Sequence, residues 1–176
     1  MKALAAADVA DLVGIPWAAD GRDAGRGLSC YGLAREVYRR AGVEIPALWV
    51  PAAYGSQQPQ FAADVLASLH TFWEPLDGPA PMALVNLPSP GCEAGGHCAV
   101  LLTEGAVIHA LPKTGVICHP FARIAARALA FYRLRAPTPP GGGPFVDGPC
   151  GYDPAVHDRV VPDPATRCGP FPRLDA

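Results

Sequence analysis

Three residues of this 176-residue chain have the types and positions that nucleophilic chemistry requires: Cys30, His97 and His109. A thiol attacks a carbonyl as its thiolate, and the oxyanion that forms needs hydrogen-bond donors. The first residue of a helix supplies help with both, because the helix dipole and the unbonded N–H groups favour negative charge. In "GLSCYGLAREVYRRAGVEIP", residues 27–46, Ser29 has the side chain of an N-cap and Cys30 follows at the first helical position. The thiol also needs a base. His97 opens the run "HCAVLL" after two glycines, and His109 lies in "VIHAL", 12 residues on, across a turn near Gly105. That spacing suits neighbouring positions near one end of a hairpin. His97 would then take the Cys30 proton, and His109 would orient His97 through its other ring nitrogen. Taken singly, each has an ordinary alternative, a small buried thiol or a histidine satisfied by local hydrogen bonds. It is the trio that points to a nucleophile and its base.

The elements that must position the trio are legible from periodicity. Residues 5–13 read as a short helix stopped by Gly14 and Pro16. A loop with Gly21, Gly25 and Gly27 follows. From Cys30, the residues Leu33, Ala34, Val37, Tyr38 and Ala41 recur at helical spacing, with Arg35, Glu36, Arg39 and Arg40 outside and Gly42 as the stop. Residues 44–60 read as loop and 61–73 as a second helix. Short apolar runs come next: "MALVNL", "HCAVLLTE", "AVIHAL", "GVICH" and "LAFYRL", with "FARIAARA" a short helix before the last. Helices followed by antiparallel strands predict an α+β domain over residues 1–136.

Composition changes at Pro137. Ten of the 21 prolines lie in residues 137–176, so neither helix nor central strand is expected there. The segment keeps Phe145, Tyr152, Val160, Val161 and Phe171, more apolar residues than a solvated tail carries, and reads as an extended docking arm. A formal net charge of −2 gives no electrostatic reason to expect nucleic acid. No apolar run reaches the length of a membrane-spanning helix, so no membrane insertion is expected. Asp8 and Asp11 interrupt any signal-peptide core, which predicts synthesis in the cytoplasm without a signal peptide.

With these residues in place, "LVGIPWAADGRDAGRGLSCYGLAREVYRRAGVEIP" resembles the N-terminal motif of NlpC-type papain-like cell-wall cysteine peptidases. It is most similar to the branch found in phage tail-tip assembly proteins and gene-transfer-agent particles. That branch has a Gly-x-Pro-Trp/Tyr segment, a Gly-rich loop, Asp-Cys-Trp/Ser-Gly-Leu and a helix ending in Gly-Ile/Val-x-Leu-Pro. "GGHCAVLLTEGAVIHAL" is similar to the family's histidine-bearing hairpin, and "GVICHPFARIAARALAFYRL" to its closing strands, so the likeness covers about residues 5–135. The resemblance implies Cys30 as nucleophile, His97 as general base and His109 as the orienting residue, with Trp17, Ser29, Tyr31 and Gly96 on the substrate side. It implies hydrolysis of peptidoglycan stem peptides without metal or organic cofactor. It also implies a place at a phage-like tail tip, where the enzyme acts on the cell wall or in the periplasm, with residues 137–176 docking to tail hub or baseplate proteins. Two features depart from the pattern: Ser29 stands where the family has Asp, and the Gly-Asp usual before the central strand is absent from "GPAPMALVNL". A tail-tip component that keeps the fold without activity, and an acyltransferase or amidase on the same scaffold, are the rival readings.

The other cysteines carry less. Cys98 follows His97 and is expected on the opposite sheet face, in the core, as is Cys118, rather than with Cys92 and His119 at a metal. Cys150 and Cys168 flank much of the arm and are a candidate disulfide outside the cell. His70 and His157 read as surface residues, and Asp23 and Arg26 as solvated loop charges.

Overall fold

The helix that the sequence starts at Cys30 does start there. A computed structural model describes residues 1–45, 72–89 and 92–135, and in it α1 runs Cys30–Arg40. The Ser29 hydroxyl accepts the Gly32 N–H at 3.0 Å, which satisfies one of the amides a helix start leaves unbonded. At the other end Gly42 takes φ +82°, a conformation only glycine adopts without cost. Its N–H donates to the Arg39 carbonyl, and Val43 N–H to that of Tyr38, closing the helix as a Schellman motif. Leu33, Ala34, Val37, Tyr38 and Ala41 are buried, as their spacing predicts. Glu36 and Asp11 both hold the Arg40 guanidinium, which ties α1 to the preceding turn. That turn, expected as a helix over 5–13, is a 3-10 helix at Ala6–Leu12 with Val9 and Leu12 buried. The glycine loop holds two short strands, β1 (Arg22–Asp23) and β2 (Gly27–Leu28), paired antiparallel.

Six further strands make one antiparallel sheet: β3 (Trp73–Leu76), β4 (Leu84–Ser89), β5 (Cys92–Leu101), β6 (Ala106–Leu111), β7 (Gly115–Pro120) and β8 (Ala130–Leu134). Their order is β3-β8-β4-β5-β6-β7. The β5–β6 hairpin turns through Glu104 and Gly105, at φ +62° and +70°, as the position of Gly105 suggests. The segment "FARIAARA" forms two short 3-10 turns, Phe121–Arg123 and Ala125–Arg127, rather than a helix. The expected helix over 61–73 lies outside the described residues up to 71, but its last residue, Trp73, opens β3 instead. Backbone pairing with β8 decides this, and Pro75 is tolerated because β3 is an edge strand. The loop expected over 44–60 lies outside the described residues from 46 on, as do His70 and the arm at 137–176 with His157, Cys150 and Cys168.

Alternate residues of the strands feed two cores, as the two-residue period of a strand requires. Leu84, Val100, Ile108 and Val116 join Leu33, Val37 and Tyr38 of α1. Val85, Leu87, Ala99, Leu101 and Val107 face the other way, under Phe121, Ile124 and Phe131. Each fully buried side chain of this kind contributes about 1.5–3 kcal/mol relative to exposure. The sheet and α1 are thereby fixed against each other, and the start of α1 is fixed with them.

Candidate active site

The start of α1 is locked to the loop before it. Gly21 carbonyl accepts both the Ser29 N–H, at 3.0 Å, and the Ser29 hydroxyl, at 3.1 Å. The contact is so close that a Cβ on Gly32 would lie 1.9 Å from the Gly21 oxygen, so the "SCYG" glycine admits the loop backbone. Ser29 thus both caps the helix and pins the loop, which is the role the structure gives it. No contact between Ser29 and a substrate follows from this. Trp17 forms an isolated bridge with Leu28 and packs half-buried against the α1-side core, next to the segment that leads into Cys30. Tyr31 is half-buried at the second helical position, and burial, with the neighbouring Cys98, pushes its phenol up.

The sheet presents His97. Register in β5 and β6 pairs Val100 with Ile108 and Leu101 with Val107, and the ladder between them stops there. Toward its beginning β5 stays paired only with β4, through Cys98 with Asn86 and His97 with Leu87. Gly95 and Gly96, at φ +141° and +104°, carry the strand into this stretch. A Cβ on Gly95 would sit 2.7 Å from the Asn86 side chain, so glycine is required there twice over. Gly96 directly precedes His97 in this stretch.

Cys30 lies against this unpaired stretch. Its thiol is held well below the ordinary thiol range, first by a hydrogen bond from the Cys98 thiol, then by the His97 ring and by the Cys98 backbone amide, against the opposing effect of burial. The Cys98 thiol is pushed well above that range by the same contact, so of the two sulfurs Cys30 ionises and Cys98 keeps its proton. His97 Nε2 lies 2.9 Å from His109 Nδ1. His109 is only 5% exposed, and burial, followed by the nearby charges of His97, His119 and Arg127, lowers its pKa to about 4. The three residues singled out from the sequence are thus brought together, with the His97 ring against the Cys30 thiol and the His109 ring beyond it.

Cys98 packs against the α1-side core as expected, and it also reaches Cys30. Alternation does put its side chain with the α1-side core, away from Ala99 and Leu101, but α1 begins on that side and brings Cys30 to it. Cys98 is therefore a site residue. His119 is the second residue that its sequence context does not place in the site. Its Nε2 lies 3.0 Å from His109 Nε2, across the β6–β7 pairing. The sequence does carry a signal for it: His119 is 10 residues after His109, across a turn at 112–114, the same arithmetic that links His97 to His109. Cys118 packs against the α1-side core as expected. Among the described residues no cluster of His, Cys, Asp and Glu is arranged to hold a metal ion. Asp23 accepts the Gly25 N–H at the exposed loop tip, consistent with a solvated turn. No helix among the described residues is long and apolar enough to cross a membrane.

No protein-family model matches the chain, and no curated protein matches it. The solved structures similar to it include the following three. The NlpC/p60 domain of the peptidoglycan hydrolase SagA is 24% identical, with a TM-score of 0.44 over 72% of this chain and 92% of that one. A protein described as similar to a lipoprotein of the NLP/P60 family, from Staphylococcus aureus, is 17% identical, with a TM-score of 0.48 over 73% of this chain. An NlpC/p60 family protein from Bacillus cereus is 17% identical, with a TM-score of 0.45 over 74% of this chain. This chain spans 39% and 40% of the latter two.

Proposed function

We propose that this chain is a cysteine endopeptidase that cuts the peptide stems of peptidoglycan, carried at the tip of a phage-like tail. The observation that carries the chemistry is the Cys30 thiol at a capped helix start, held low and contacted by a histidine whose far nitrogen is 2.9 Å from a second histidine. The Cys30 thiolate attacks the scissile carbonyl and forms a C–S bond. The negative charge on oxygen falls beside the amides of the helix start, where the dipole favours it. The His97 imidazolium gives its proton to the departing amine, which breaks the C–N bond and leaves a thioester. His97, neutral again, takes a proton from water, the hydroxide attacks the thioester, and the thiolate is restored with a free carboxylate.

The substrate and the location rest on the sequence resemblance of residues 5–135 to NlpC-type peptidases of tail tips. Digestion of purified peptidoglycan, with released fragments read by mass spectrometry, tests the activity. Wild-type protein should release cut stem peptides and Cys30→Ala none; identical fragment patterns would overturn the peptidase reading in favour of an inactive structural component. Truncation after Ala136 tests the location. The shortened protein should fold, by circular dichroism, yet be missing from purified particles, and its normal incorporation would refute the docking role of residues 137–176.

A further inference from the structure

The hydrogen-bonded row that begins at His97 does not end at His109. His109 Nε2 is 3.0 Å from His119 Nε2, and His119 Nδ1 is 3.0 Å from the carbonyl oxygen of Pro120. The register of β6 on β7 explains the approach: His119 lies opposite Val107, two residues along the same strand from His109. We propose that the Pro120 carbonyl, acting through His119 and His109, sets the tautomer of His97, which makes His119 a positioning residue of the site. The proposal rests on the reading of His97 as the base that serves Cys30.

The assignment follows from the row itself, one ring at a time. A carbonyl oxygen only accepts, so His119 Nδ1 carries hydrogen and donates to Pro120. In the neutral His119 ring Nε2 then has a lone pair, and it accepts the N–H of His109 Nε2. His109 is the ring whose charging burial opposes, with a pKa of about 4, so it carries a single proton at neutral pH. Having placed that proton on Nε2, it must accept at Nδ1, and the donor there is the Nε2–H of His97 at 2.9 Å. His97 Nδ1 is left with the lone pair and is the ring atom available to take the Cys30 proton. The reverse order would set two lone pairs against each other at His119 and Pro120.

The row also suits the ion pair. When His97 holds the Cys30 proton at Nδ1, its Nε2–H still donates to His109, so no ring has to turn and no other proton has to move. A carboxylate in this place would fix the base by its negative charge. Here a backbone carbonyl and two neutral rings do so with no added charge.

The test is nitrogen-15 NMR of histidine-labelled full-length protein at about pH 8, in a Cys30→Ala background that prevents the ion pair. His97 should be the Nε2–H tautomer when His119 is present. His119→Gln, whose carbonyl oxygen can accept from His109, should keep that tautomer, while His119→Ala should give a mixture. With Cys30 intact, alkylation of Cys30 by iodoacetamide near pH 6 should slow about tenfold in His119→Ala and change little in His119→Gln. Unchanged tautomer and unchanged alkylation in His119→Ala would overturn the proposal. If circular dichroism shows that His119→Ala does not fold, His119→Lys against His119→Gln decides. Lysine only donates, so it should reverse the row and put hydrogen on His97 Nδ1; the same His97 tautomer in both variants would overturn the proposal. A tautomer shift in His119→Ala, together with protein carrying Cys30 and His119 that leaves peptidoglycan uncut, would support the row and count against the peptidase reading.

Discussion

Iodoacetamide near pH 6 is expected to alkylate Cys30 at least about tenfold faster than Cys118 in the folded protein. At that pH an ordinary thiol is less than about 1% thiolate. Cys118 is worse placed than that, because burial pushes its thiol up. Cys30 is lowered by three donors from one stretch of β5: the Cys98 thiol, the His97 ring and the Cys98 amide. A lower pKa also makes the thiolate intrinsically less nucleophilic, which offsets part of the gain and is why the expected ratio is tens rather than thousands. Cys98→Val and His97→Ala should each slow Cys30 near pH 6 and approach the wild-type rate near pH 9, where the thiolate forms without help. Peptide mass spectrometry over a time course measures all of these rates. Equal rates for Cys30 and Cys118 near pH 6 would mean that the thiol is not activated.

The second large effect is on stability in acid. His109 has its pKa lowered from 6.5 to about 4, chiefly by burial and then by the charges of His97, His119 and Arg127. The unfolded chain therefore binds a proton at this residue at a higher pH than the folded protein does. The sign is then fixed: the contribution is complete above about pH 6.5 and is lost as pH falls through about 4. One ring with this shift amounts to about 3 kcal/mol at most. Urea unfolding at a series of pH values should show wild-type stability falling more steeply through this window than that of His109→Gln. Parallel curves for the two proteins would show that His109 binds its proton equally well in both states.

Much of this arrangement is legible in the sequence. The helix from Cys30 is set by a capping residue, a stop glycine and an apolar stripe, all local signals that tertiary packing reinforces. The β5–β6 hairpin is fixed by Gly105 and by strand alternation, which is why Cys30, His97 and His109 can be grouped from their spacing. What the sequence hides depends on partners distant along the chain. Trp73 reads as the end of a helix because nothing local shows that β8 lies alongside it. Alternation puts Cys98 on the correct face for core packing. It cannot say that the start of α1 comes down on that face. His119 requires extending the hairpin count by one more strand, and its half-buried place on β7 gives no separate sign of function.

The early end of the β5–β6 ladder has a consequence for how mutation acts on this site. A strand left unpaired inside a sheet is an internal edge, and edges attract whatever can accept their amides. Here the occupant is a sulfur: the Cys98 N–H points at Cys30 and lowers its pKa. A main-chain donor survives any side-chain substitution except proline. Part of the thiol's acidity is therefore inherited with the fold rather than with the identity of residue 98. Substitution of the Cys98 side chain by a small apolar residue removes the largest of these contributions, while the smaller one from the backbone amide stays.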